Sequence, residues 1–120
     1  MAVILVVDDM STVRELIGKL VVTAGHTPVF ANDGDEVLDK ARQHRPALIL
    51  MDVVMPKEDG FKVCRTLKAT DDLKHIPVVL VSSKNSDSDK FWGTKQGANE
   101  MLPKPFSDDL MLQVIKRFVH

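Results

Sequence analysis

The sequence predicts an α/β domain: a parallel β-sheet with helices on both of its faces. Three observations carry this. Apolar runs suited to strands alternate along the chain with segments whose apolar residues recur at helical spacing. The runs at 2–7, 47–51 and 78–81 are continuously apolar, as strands covered on both faces must be. Strict β-α alternation then calls for crossover connections and parallel pairing.

The first strand is A-V-I-L-V-V at 2–7. Val13, Leu16, Ile17, Leu20, Val21 and Ala24 follow as one helical stripe, with a capping box expected from Thr12 and Glu15 and a stop at Gly25. T-P-V-F-A at 27–31 forms a short second strand, which Pro28 directs to an edge or a first position. N-D-G at 32–34 is a turn, and a helix through Val37, Leu38 and Ala41 comes next.

The third strand, A-L-I-L-M at 47–51, ends at Asp52. A loop, M-P-K-E-D-G at 55–60, leads into a helix through Phe61, Val63, Cys64 and Leu67. V-V-L-V at 78–81 is the fourth strand, ending at Ser82 and Ser83, and a helix spans 87–96 with Gly97 as its stop. In that helix Phe91 and Ala98, seven apart, are expected to face the sheet; Trp92 is open between exposed docking surface and peripheral core. E-M-L at 100–102 is a fifth strand, placed at an edge because Pro103 cannot donate to a ladder. The last helix runs from about Asp108, capped by Ser107 or Asp108, with Asp109 at its positive end.

Bulk properties narrow the function classes. The 120 residues suffice for one domain with its own core, needing neither disulfide nor structural metal. Cys64 is the single cysteine, so no internal disulfide forms, and no His/Cys cluster offers a soft metal site. A net charge of −1 argues against a standing grip on nucleic acid. No stretch reaches the length of a membrane span, and the apolar N-terminus lacks the basic start of a secretory signal. The expectation is therefore one cytoplasmic domain over residues 1–120, with no attached output module and no nucleic-acid or membrane partner.

Ligands of open parallel sheets bind beyond the carboxyl ends of the strands. Here those ends carry Asp8 and Asp9 (first strand), Asp52 (third), Ser82 (fourth) and Lys104, followed by Pro105 (fifth). Three gathered carboxylates repel one another unless a cation joins them. An oxygen-only donor set suits a hard cation, and Mg²⁺ is the natural choice because it keeps waters and takes few protein ligands. Lys104 and the Ser82 hydroxyl suit the oxygens of a phosphoryl group, and one carboxylate would be the nucleophile. One acid alone would simply cap a helix; the combination is what points to phosphoryl chemistry.

V-V-D-D-M-S, L-M-D-V-V-M-P-x-x-D-G, V-L-V-S-S-K and K-P-F, in this order, resemble the receiver domain of bacterial two-component response regulators. The likeness spans essentially the whole chain. It implies a flavodoxin-like doubly wound sheet with strand order 2-1-3-4-5. It implies Asp52 as phospho-acceptor, Asp8 and Asp9 as metal acids with the Val54 backbone carbonyl completing the Mg²⁺ site, and Ser82 and Lys104 as the groups that close on the phosphoryl. It also implies a cis bond at Lys104–Pro105 and a shaping role for Met55-Pro56 and Gly60 in the loop after Asp52. A histidine kinase would be the donor, and a target protein would read the face made by the fourth helix, fifth strand and fifth helix. Many receivers carry Tyr or Phe at the switch position three before the lysine; here it is Met101. F-W-G-T-K-Q-G-A at 91–98 is similar to stand-alone receivers of chemotaxis-like type IV pilus and twitching-motility systems.

Three other functions share parts of this pattern. Aspartyl-phosphate phosphatases carry a second acid two residues after the nucleophile, where this chain has Val54. A pseudo-receiver would bind without phosphotransfer, and a phosphate sink would drain the kinase through the same residues. Ser83 is expected to pack as a small residue beside the site.

Overall fold

A computed structural model describes residues 1–120. Its strands are β1 (Val3–Val7), β2 (Thr27–Ala31), β3 (Leu48–Asp52), β4 (Val78–Ser82) and β5 (Glu100–Pro103). Its α-helices are α1 (Ser11–Thr23), α2 (Val37–His44), α3 (Gly60–Lys68), α4 (Asp87–Lys95) and α5 (Asp108–Phe118), and one 3-10 turn, Gly34–Glu36, precedes α2. The sheet is parallel throughout, as the strand–helix alternation predicts, and its order is β2-β1-β3-β4-β5, as the resemblance implies.

Alternate residues of the continuous apolar strands feed two cores. Leu5, Val7, Ile49, Met51, Val78 and Leu80 face one side, where Val37 and Ala41 of α2 and Phe61, Val63, Cys64 and Leu67 of α3 cover them. Ile4, Val6, Leu48, Leu50, Val79 and Val81 face the other, under Ile17, Leu20 and Val21 of α1 and Met111, Val114 and Ile115 of α5. Each fully buried aliphatic side chain contributes about 1.5–3 kcal/mol relative to exposure. Both proline-bearing strands, β2 and β5, lie at sheet edges, where a missing donor is tolerated.

Three local expectations are corrected, and one position left open is decided. The helix α1 starts one residue before Thr12, and its N-cap, Met10, makes no side-chain cap, so no Thr12–Glu15 capping box exists. The real capping box belongs to α4, between Ser86 and Asp89. Phe91 points to solvent, 64% exposed, and Gly93 is the residue α4 buries. Trp92 is 51% exposed, which selects the surface position of the two left open. Ser83 is exposed rather than packed.

Register positions the strand ends. Val7 pairs with Met51, so Asp8 follows at the level of Asp52. Asp52 pairs with Val81, and Ser82 pairs with Pro103, so Lys104 lies one step beyond Ser82. Strand order reverses between β1 and β3, the switch point where such sheets leave a crevice.

Candidate functional site

The two acids that follow β1 and the last residue of β3 meet across that crevice. One carboxylate oxygen from each of Asp8, Asp9 and Asp52 lies within 4.8 Å of the others. Asp8 and Asp52 are buried and Asp9 is exposed. Lys104 closes the far side, its Nζ 2.9 Å from Asp8 Oδ2 and 3.4 Å from Asp52 Oδ1.

Backbone donors fix the two buried acids. Met10 N donates to Asp8 Oδ1 at 3.0 Å, and Val53 N donates to Asp52 Oδ1 at 2.8 Å. The loop after Asp52 turns at once, with Gly60 N donating to the Val53 carbonyl at 2.7 Å. A Cβ on Gly60 would run into the Asp52 carbonyl oxygen and come within 2.8 Å of Val53 Cα, so only glycine allows this approach. Asp59 then caps α3, accepting from Phe61 N at 2.8 Å.

On the other flank, Ser82 Oγ accepts from Lys84 N at 2.9 Å, and its carbonyl accepts from Lys104 N at 3.0 Å. The Lys104–Pro105 bond is cis. Met101, on β5, lies against Gly93 of α4 and is half-buried. The Val54 side chain is exposed.

Electrostatics follow from this crowding. Burial pushes the Asp52 carboxyl above its ordinary range, and the Asp8 charge pushes the same way against the opposing pull of Lys104. Burial alone would lower Lys104, but its bond to Asp8 and the charges of Asp8 and Asp52 outweigh that and hold the ammonium above its usual value. The three carboxylates outnumber Lys104, the cation paired with them. An all-oxygen set with surplus negative charge fits a hard divalent cation.

Residues without a sequence signal also shape the site. Arg14 Nη1 donates to the Asp8 carbonyl at 2.7 Å. Lys57 pairs with Asp35 at 3.4 Å, linking the loops after β3 and β2. With Asp9, Asn32 and Asp33 they line a polar cleft of about 480 Å³ beside the acids. A cation in the opening turns of a helix opposes its dipole, and that oddity is the sole trace Arg14 leaves in the sequence.

Residues 4–116 match the response regulator receiver domain. The chain belongs to this family. The receiver is 37% identical to Protein PilH of Pseudomonas aeruginosa over 115 residues, 96% of this chain and 95% of PilH. It superposes on the chemotaxis response regulator CheY4 of Vibrio cholerae with a TM-score of 0.92 at 31% identity, covering 99% of both chains. The Mn²⁺-bound form of response regulator Rcp1 is similar at 29% identity, with a TM-score of 0.82 over 98% of this chain and 94% of that one. No helix of the receiver is long and apolar enough to cross a membrane.

Proposed function

We propose that this receiver is a cytoplasmic single-domain response regulator that accepts a phosphoryl group on Asp52 from a phosphohistidine of a histidine kinase. The observation that carries this is the cluster of Asp8, Asp9 and Asp52, with oxygens within 4.8 Å, facing Lys104. Asp8, Asp9, Asp52 and the Val54 carbonyl would hold Mg²⁺, which when bound neutralises the acids and the phosphoryl oxygens.

An Asp52 carboxylate oxygen attacks phosphorus. The bond to the donor imidazole breaks, and that nitrogen leaves with the electron pair and is protonated. Lys104 opposes the upward push of burial and Asp8 on the Asp52 carboxyl and is within reach of a phosphoryl oxygen on it. Ser82 is buried and its hydroxyl accepts from Lys84 N, which leaves the hydroxyl proton to donate to a phosphoryl oxygen and couples that contact to the 82–84 turn. That turn runs into the Ser86 cap of α4, which supplies a route from Asp52 to the face of α4, β5 and α5. The response is a shift between two populations, sized by the contacts the phosphoryl makes in each.

The missing acid at Val54 weighs against a phosphatase. Similarity to PilH over nearly all of both chains, together with residues 91–98, favours a chemotaxis-like type IV pilus system and a partner protein as reader. Incubating the wild type and Asp52→Ala with a phosphorylated histidine kinase and Mg²⁺ tests the assignment. Label should transfer to the wild type alone; equal label on the variant would refute it.

A further inference from the structure

Asp9 is the exposed member of the acid cluster, and no hydrogen bond fixes its carboxylate. Its side chain goes where the backbone of residues 8–10 sends it. That backbone is not held by an ordinary helix cap, because Met10 offers none. Beside the strand bond from Asp8 N to the Ala31 carbonyl at 3.2 Å, two side-chain bonds hold it: Met10 N to Asp8 Oδ1 at 3.0 Å, and Arg14 Nη1 to the Asp8 carbonyl at 2.7 Å. The second grips the Asp8–Asp9 peptide itself. Arg14 N donates to the Met10 carbonyl at 3.0 Å, the ordinary first bond of α1, so the guanidinium bond is the one contact here that depends on the arginine side chain.

We propose that Arg14 is a positioning residue that orients the Asp8–Asp9 peptide so that the Asp9 carboxylate faces Asp8 and Asp52 as a cation ligand. This rests on the reading of the three acids as a divalent-cation site. Groups that orient metal ligands influence affinity strongly. The choice of arginine is otherwise costly: a fixed positive charge beside a cation site repels the cation, and near the start of a helix it opposes the dipole. A short charge-assisted bond to a carbonyl gives a compensating reason.

The two effects of Arg14 have opposite signs, which makes the test decisive. Mn²⁺ affinity would be measured by electron paramagnetic resonance of the free ion for the wild type, Arg14→Met and Arg14→Lys, at low and high salt. Positioning predicts that Arg14→Met binds on the order of tenfold more weakly although it removes a repelling charge. Arg14→Lys should fall between, and the loss should persist at high salt. The metal-free Arg14→Met protein should also show shifted backbone amide resonances at Asp9 and Met10. If Arg14→Met binds Mn²⁺ equally or more tightly, the proposal is overturned. Should Arg14→Met fail to fold by circular dichroism, Arg14→Lys decides alone, and wild-type affinity in it is the overturning result. A folded wild type that binds no Mn²⁺ at millimolar concentration removes the cation site itself, a failure distinct from that of Arg14.

Discussion

Lys104 Nζ sits 2.9 Å from Asp8 Oδ2, although 96 positions separate the two residues in the chain. The contact exists because β1 and β5 end on the same edge of the sheet, and it makes Lys104 the chief counter-charge of two buried acids.

Removing that counter-charge should destabilise the metal-free protein. Breaking a fully buried ion pair costs roughly 3–5 kcal/mol. Lys104 keeps 20% of its side chain in solvent, so Lys104→Met should cost less, about 2 kcal/mol. Urea unfolding with EDTA measures the loss. Added Mg²⁺ should recover more stability in the variant than it adds to the wild type, since the ion takes over the missing neutralisation.

Asp52 yields a pH prediction. Its carboxyl is raised by burial first and by Asp8 second, so the folded state holds this proton more tightly than the unfolded chain does. The group's contribution to stability is fully present below the unfolded value of 3.8 and is lost as pH rises through the higher folded value. At neutral pH the carboxylate therefore weakens the metal-free fold. Asp52→Asn should raise Tm at pH 7 by a few degrees, which for a domain this size is about 1 kcal/mol. The difference from wild type should shrink toward pH 4 and shrink again on adding Mg²⁺. Thermal unfolding across pH 4–8 checks both; a variant less stable than wild type at pH 7 in EDTA contradicts the sign.

Continuous apolar runs announce buried parallel strands, and their polar terminators, Asp8, Asp52, Ser82 and Lys104, are visible because a polar group at the end of a core strand has few innocent explanations. What stayed hidden involves backbone or empty space. The partner of Arg14 is a carbonyl, which has no side-chain pattern. The buried side of α4 is Gly93, which carries no hydrophobic signal, so the sequence pattern points Phe91 to an inward face that it does not occupy. Thr12 does not cap α1 because the helix begins at Ser11, directly after residues 8–10, where Asp8 bonds the Met10 amide.

Cys64 should be unreactive in the folded protein. Its thiol is fully buried, donates to the Gln96 carbonyl at 3.5 Å, and is pushed up to about 11 by burial, with Lys68 opposing. The thiolate is the reactive form, so Ellman's reagent at pH 8 should label native protein only as fast as it opens, and unfolded protein at once. The raised value also fixes a pH window. Stability from this group is intact below the unfolded value of 9.0 and declines between there and about 11. Rapid native labelling at pH 8 would contradict the burial.

The seat of α4 can be tested through Gly93. A Cβ there would meet Met101 Sδ at 2.5 Å and Phe61 Cε1 at 3.3 Å. In an open helix, Gly→Ala stabilises by about 0.8–1.0 kcal/mol, whereas overpacking costs about 1–3 kcal/mol. Gly93→Ala should therefore be net destabilising in the wild type. In a Met101→Ala background the obstructing thioether is gone, and the same substitution should become neutral or stabilising. Trp92, the lone tryptophan and the residue next to Gly93, reports on the helix directly. Its emission should shift in Gly93→Ala and return toward the Met101→Ala value in the double variant. Urea unfolding of the four proteins gives the coupling; equal effects of Gly93→Ala in both backgrounds would show that the methionine does not set the position of α4.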